Sequence, residues 1–232
     1  MGFEDRTIEK DKREIHLSEG LAEIFGPAYE LLDNSLKDIV RNSTKIADIG
    51  ASDNKVEELI DKNNCGNEVL CLDINPEALK QIEKKEFKSI KIKTICDDGN
   101  SFMETPNNVK LDLLIINNTL HELNTPKDQS WYLDKFFKNI PNVLKLEGRI
   151  ILADHYYDEN IPDEEVEASR KEQFEKIKHA DERNKFILPN LLKQKIQEYG
   201  YDVISYDEVR VTPEINKRYY IFVIKKQEEI PS

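Results

Sequence analysis

The stretch Lys45-Ile-Ala-Asp48-Ile-Gly50-Ala-Ser52-Asp53-Asn54 passes from an apolar run through a glycine into a polar helix start. Lys45 to Ile49 reads as a strand, and Val56 to Lys62 as a short helix with Val56, Leu59 and Ile60 on one face. Gly50 permits a tight turn, and the small Ala51 and Ser52 let backbone N–H groups approach a ligand. A second strand, Glu68 to Asp73, places an acidic residue at its end, 23 positions after Gly50. At that spacing a carboxylate can accept hydrogen bonds from two ribose hydroxyls. A nucleoside site is therefore expected, although dinucleotide-binding folds share this pair of features.

Outward from this unit the chain keeps alternating. A helix entered through Asn75 and Pro76 is followed by Ile90 to Cys96, where apolar residues alternate with lysines as at a sheet edge. Leu111 to Ile116 is almost wholly apolar, as in a strand covered on both faces. A helix around Trp131 to Phe137, a turn at Gly148 and a fifth strand, Arg149 to Ala153, come next. Residues 201–209 and 218–225 are strand-like runs joined by a loop holding Pro213 and Asn216. That loop is too short for a parallel crossover, so the two runs should pair antiparallel. Upstream, Ala28, Leu31, Leu32, Leu36, Ile39 and Val40 recur at helical steps, with Pro27 after Gly26 as a first-turn proline. The first fifteen or so residues lack any apolar period and are expected to be mobile. The pattern predicts an α/β fold: a mostly parallel sheet with helices on both faces and a C-terminal antiparallel hairpin.

Composition narrows the function classes. A chain of 232 residues with 38% hydrophobic residues can bury one α/β core without a second one. No run is long and apolar enough for a membrane span, and the charged start argues against a secretory signal. A net charge of −12 makes a nucleic-acid partner unlikely without a local basic patch. Cys65, Cys71 and Cys96 lack metal-finger spacing, and Cys71 and Cys96 read as small core residues within strands. A reducing, cytoplasmic location is expected. Between Tyr156 and Lys185 only Val166, Phe174 and Ile177 fall at helical spacing. So thin a stripe suits either a plain surface helix or a lid over the acceptor site, since it leaves the end of a central strand.

The acidic strand ends distinguish between nucleoside ligands. Asp48 lies just before the glycine turn, and Asp97 and Asp98 end the third strand. Asp48 and Asp53 would crowd a pyrophosphate, whereas acidic residues at the strand ends suit a cofactor carrying an ammonium and a sulfonium. The segments "ADIGAS", "CLDINPEAL", "ICDDG", "DLLIINNTLHEL" and "LEGRIILADHYY", in that order and spacing, resemble class I S-adenosylmethionine-dependent methyltransferases of the small-molecule type. Within that family the chain resembles the ubiquinone/menaquinone- or phosphoethanolamine-methyltransferase-like groups, over roughly residues 44–225. The resemblance implies a Rossmann-like seven-stranded sheet, with residues 1–43 as an N-terminal helical cap. Residues 44–232 would form the methyltransferase domain, with a helical lid insertion at about 156–185.

It also implies S-adenosylmethionine as cofactor, with Asp48 and Gly50 in the methionine-side motif, Asp73 at the ribose, Asp97 at the adenine and Asn117 at the fourth strand's cofactor-facing end. The full cofactor-binding set is Asp48, Gly50, Ser52, Asp73, Ile74, Asp97, Asp98 and Asn117. Where the family usually writes three glycines in the first motif, this chain has Gly50, Ser52 and Asn54; asparagine tolerates the left-handed backbone such a turn requires.

Methyl transfer is an in-line displacement that needs an aligned acceptor and, for a hydroxyl or ammonium, removal of a proton. His121, past the fourth strand, and His155, past the fifth, are the catalytic candidates, because both strand ends open on one face. His179 is a weaker third, and Tyr29, Tyr156 and Tyr157 are candidates to orient the acceptor. No metal is expected: His121, Glu122, Asp154, His155, Asp158 and His179 form a mixed set, but "HELNT" lacks the second histidine of a helical zinc motif. The strand-four end, Asn117-Asn118-Thr119-Leu120, lacks the Asn/Asp-Pro-Pro-aromatic signature of base or glutamine methylation. The expectation is methylation of O or N on a small-molecule acceptor. The rival is a non-catalytic S-adenosylmethionine-binding or assembly module. The oligomeric state stays open.

Overall fold

The computed structural model describes residues 25–52, 54–63, 66–104, 110–123, 129–211 and 216–227. The expectations for the first fifteen residues, Asp53, Cys65 and Pro213 fall outside these described residues.

Seven strands form one sheet in the order β3-β2-β1-β4-β5-β7-β6. Strands β1 (Lys45–Ile49), β2 (Glu68–Asp73), β3 (Lys91–Cys96), β4 (Leu111–Asn117) and β5 (Leu144–Tyr156) run parallel. β7 (Arg218–Lys226) lies antiparallel between β5 and β6 (Tyr201–Arg210). This is the mostly parallel sheet with a C-terminal antiparallel pair that the periodicity predicts, and β3 is an edge strand, with β6 at the other edge.

The central strands are apolar at consecutive positions because both of their faces are covered. One cluster joins Ile46, Val69, Cys71, Leu113 and Ile151 to Leu32 and Val40 of α1 (residues 25–41), to Ile60 of α2 (Lys55–Lys62) and to Leu79 of α3 (Pro76–Lys84). The other joins Ala47, Leu72, Leu114, Ile150 and Phe222 to Phe102 of α4 (Gly99–Glu104), Leu120 of α5 (Leu120–Leu123), Phe136 and Ile140 of α6 (Gln129–Val143) and Leu192 of α8 (Pro189–Glu198). Helix α7 (Asp163–Ile177) belongs to both: Val166 joins one cluster and Ile177 the other. It therefore reaches past the sheet from one face to the other.

Several local expectations are corrected. Gly148 is not a turn between elements but lies inside β5, where the register jumps from Leu111↔Leu144 to Leu113↔Arg149. A Cβ there would sit 2.7 Å from Leu144 Cγ, so the irregularity needs glycine. Cys96 is exposed, because it ends the edge strand, whereas Cys71 is buried. Phe174 is 52% exposed; the buried stripe of α7 is Val166, Ser169, Gln173 and Ile177, half of it polar. Tyr156 belongs to β5 rather than to the lid segment.

Candidate functional site

A cleft of about 540 Å³ runs along the C-terminal ends of the parallel strands. On the β3-β2-β1 side its wall includes Gly50, Ser52, Asp73, Ile74, Asp97 and Asp98.

The turn after β1 is held by Gly50 N–H and Ala51 N–H, which both donate to Leu72 O, at 2.8 and 3.1 Å. Gly50 has φ +84°, and a Cβ on it would collide with the Thr119 side chain after β4. Only glycine fits both demands. Asn54 takes the left-handed conformation, φ 59°, at the start of α2, in keeping with the tolerance expected of asparagine.

Asp73 Oδ1 accepts from Asn75 N–H at 2.7 Å, which fixes the carboxylate at the end of β2. Next to it Ile74 is 74% exposed, an apolar surface at the cleft wall. Asp97 Oδ1 accepts from Asp98 N–H at 2.8 Å. Asp98 Oδ1 in turn accepts from Asn100 N–H at 2.7 Å, so this carboxylate caps the first turn of α4.

Two of the expected cofactor residues stand apart from the cleft lining. Asp48 is 2% exposed and pairs in the sheet between Cys71 and Ile115. Asn117 is buried, and its Oδ1 accepts from Tyr219 Oη at 2.7 Å. Its neighbours Asn118 and Thr119 reach the cleft instead, because Asn118 turns the chain with φ 54°.

The other side of the cleft is built by α5, β5, β7 and the segment from α7 to Phe186. Asp154, at 0% exposure, organises it. Its carboxylate accepts from His121 Nδ1–H at 2.8 Å, from His121 N–H at 2.7 Å and from His155 N–H at 2.7 Å. Burial opposes a charge on His121, but Asp154 at Nδ1, with Asp181 and Glu122 beside Nε2, outweighs it and raises the imidazole pKa to about 11. Asp181 is buried, which raises a carboxyl, yet His121 and Lys185 outweigh that and hold it well below the usual carboxylate range.

His155 lies between the rings of Phe25 and Tyr219, with centroids 4.8 and 5.0 Å away. Burial, with repulsion from Lys217 and His121, holds its pKa well below 6.5. The two histidines thus share a cleft but hold opposite protonation states at neutral pH.

Three lining residues carried no sequence signal. Lys217, 2% exposed, sits 4.2 Å from the Phe186 ring and donates to Gln173 Oε1 at 3.3 Å. Burial lowers its pKa to about 8. Asp181 and Gln173 come from α7 and the loop after it. Of the tyrosine candidates, Tyr29 lines the cleft; Tyr156 donates to Glu208 at 2.9 Å and Tyr157 packs on Phe186, and neither forms part of the wall.

A family model described as a methyltransferase domain matches residues 41–222. No curated protein sequence matches the chain. Among solved structures, the plantazolicin methyltransferase BpumL, in complex with a monoazolic desmethylPZN analog and SAH, superposes with TM-score 0.64 at 14% identity, over 94% of this chain and 91% of that one. A SAM-dependent methyltransferase from Aquifex aeolicus gives TM-score 0.59 at 15% identity, over 92% and 97%. The Burkholderia thailandensis 1,6-didemethyltoxoflavin-N1-methyltransferase, with bound 1,6-didemethyltoxoflavin and S-adenosylhomocysteine, gives 0.55 at 15%, over 87% and 77%. At such identities the likeness is one of fold.

Proposed function

The chain belongs to the methyltransferase-domain family, and on that footing we propose that it transfers the methyl group of S-adenosylmethionine to an oxygen or nitrogen atom of a small-molecule acceptor. The observation that carries the acceptor half of this reading is the single cleft, lined on one side by Gly50, Asp73 and Asp97 and on the other by His121, His155 and Lys217. A continuous wall of that kind suits a donor and a small acceptor held side by side.

The β3-β2-β1 side fits the cofactor on chemical grounds. Asp73 and Asp97 are hydrogen-bond acceptors with no ion pair to a cation among the described residues, and they suit ribose hydroxyls and an adenine amine rather than a pyrophosphate. Ile74 supplies exposed apolar surface for a purine face. Gly50 keeps the backbone low where a Cβ would fill the space toward Thr119. Bound there, S-adenosylmethionine supplies an electrophilic methyl group on a sulfonium.

The chain's own residues must align the acceptor, exclude water and manage its proton. His155, neutral, can accept a hydrogen bond from an acceptor O–H or N–H. His121, positive on Asp154, can hold a lone pair or negative charge. An imidazole already protonated and one that resists protonation are both poor general bases at neutral pH. The pair therefore favours acceptors that are nucleophilic without prior deprotonation, such as neutral amines, phenolates and carboxylates. The polar inner stripe of α7 places Gln173 in the same wall, in keeping with a lid over the acceptor.

Calorimetry with S-adenosylmethionine and S-adenosylhomocysteine, followed by turnover on amine, phenol and carboxylic acid panels, tests the proposal. Binding of both nucleosides and methylation within the panel are expected. Absence of binding to either would refute the cofactor assignment, and binding without any turnover would refute the acceptor class.

A further inference from the structure

We propose that His121 Nε2, Glu122 Oε1 and Asp181 Oδ2 form a binding site for one divalent transition-metal ion, zinc, manganese or iron(II), in the wall of the cleft. The three atoms lie within 4.8 Å of one another. No metal was expected from the sequence, because "HELNT" lacks the second histidine of a helical zinc motif, and Asp181 carried no signal there.

Distances separate this reading from an ordinary ion-pair cluster. His121 Nε2 is 3.4 Å from Glu122 Oε1 and 3.6 Å from Asp181 Oδ2. Charge-assisted N–H···O bonds close to about 2.7–2.9 Å. The same neighbourhood contains two imidazole–carboxylate pairs that do close, His121 Nδ1 on Asp154 at 2.8 Å and His179 Nε2 on Asp181 at 2.7 Å. The separations at Nε2 are instead those between ligand atoms around one ion: bonds of about 2.0–2.1 Å in a tetrahedral shell set ligands roughly 3.3–3.5 Å apart.

The surroundings supply the rest of a metal site. Asp154 grips Nδ1 and the backbone N–H of His121, so the ring is fixed with Nε2 toward the two carboxylates. A carboxylate behind a ligating histidine sets its tautomer and strengthens it as a donor. His121 and Asp181 are 7% and 8% exposed, which favours pairing two carboxylates with a dication. Lys185 Nζ binds the other oxygen of Asp181, Oδ1, at 2.7 Å and lies 3.4 Å from Glu122 Oε1, while Oδ2 is shared between His179 Nε2 at 2.7 Å and His121 Nε2 at 3.6 Å, so an ion at Nε2 would compete with these pairs for the two carboxylates. All three ligands line the cleft, and three protein ligands with an open position are the pattern of a catalytic rather than a structural site. Among the described residues this is the one group with such a spacing.

Within the methyltransferase reading, on which this role rests, the ion would displace the Nε2 proton to solvent, leave Nδ1–H on Asp154, and itself hold an oxygen or carboxylate of the acceptor in place of the imidazolium. Binding of the ion does not depend on that reading. The test uses the full chain, stripped with chelator and titrated with cobalt(II) and with zinc. One equivalent should bind, with the visible bands of a low-coordinate cobalt(II) centre. Glu122→Gln, at an exposed position that tolerates the change in folding, and Asp181→Asn should each weaken zinc binding at least tenfold, while Asp73→Ala leaves it unchanged. Absence of cobalt bands and zinc heat, or equal affinity in Glu122→Gln, Asp181→Asn and the parent, overturns the site. S-adenosylhomocysteine binding, measured on the same preparation, reports separately: nucleoside without metal overturns only the metal site, and metal without nucleoside overturns only the cofactor assignment.

Discussion

Asp154, the next residue before His155 and fully buried in β5, accepts both the ring Nδ1–H and the backbone N–H of His121. One carboxylate thereby locks the end of β4 to the end of β5 and fixes the orientation of the imidazole that faces the cleft.

Replacing that carboxylate should be costly twice over. Asp154→Ala leaves a buried imidazole and two N–H groups without their acceptor, a loss of about 3–5 kcal/mol by the usual cost of breaking a buried charged pair. Asp154→Asn keeps the shape and should cost less. Urea titration of both variants checks the order, and equal midpoints for Asp154→Ala and the parent would mean the carboxylate does not hold the strand ends together.

Gly50→Ala should lose both nucleoside affinity and stability. The residue must adopt φ +84° and its new methyl group must displace Thr119. Left-handed strain alone is worth about 1–3 kcal/mol at a non-glycine residue. Thermal unfolding and calorimetry with S-adenosylhomocysteine give the two readouts; a variant with parental values in both would show that the turn relaxes freely.

Asp73→Ala tests the ribose assignment. Two hydrogen bonds to a charged acceptor are worth about 1.5–3 kcal/mol each, so affinity for S-adenosylhomocysteine should fall at least tenfold. Unchanged affinity removes Asp73 from the cofactor site.

Lys217 gives a pH signature with a definite sign. Its folded pKa, about 8, lies below the ordinary lysine value of 10.5. Between those values the unfolded chain binds more protons than the native one, so this residue makes stability rise with pH across that window. Below pH 8 both states are protonated, and the burial penalty is constant. Lys217→Met should therefore raise Tm at pH 7 by roughly 2–4 °C for about 1 kcal/mol gained, and the advantage should shrink toward pH 10. A variant less stable than the parent at pH 7 would reveal that Gln173 and the Phe186 ring more than offset the desolvation of the charge.

Helix α1 is proposed to be part of the core rather than a detachable cap. Leu32, Leu36, Ile39 and Val40 are all buried against the β-sheet side that carries α2 and α3. At about 1.5–3 kcal/mol for each large side chain, their burial matches the net stability of a typical domain. A chain starting at residue 44 should fail to give a cooperative unfolding transition, whereas a cooperative transition near the parental Tm would restore the division at residue 43.

The strands of the sheet and most of its helices were legible because their cause is local. Leu111 to Ile116 is apolar at every step because both faces are covered, and the loop between 209 and 218 is too short for a parallel crossover. Gly50, Asp73 and Asp97 were legible for a related reason, since each ends or follows a strand and a parallel sheet sends such ends to one edge. Local pattern misjudged Cys96 and Phe174, where neighbours in space decide burial: the edge of the sheet exposes one, and the tilt of α7 past the sheet exposes the other.

The alternation of strands and helices, the mostly parallel sheet with its antiparallel end, and the family thus followed from the amino-acid sequence alone. The acceptor side was decided only by tertiary structure. Asp181, Gln173 and Lys217 meet there from the loop after α7, α7 itself and the residue before β7, with Asp154 of β5 behind His121, and no spacing along the chain encodes that meeting. The opposite charge states of His121 and His155 were likewise invisible beforehand, because a proton's affinity for a ring depends on which carboxylates and cations lie within a few ångströms of it and on how much water is left.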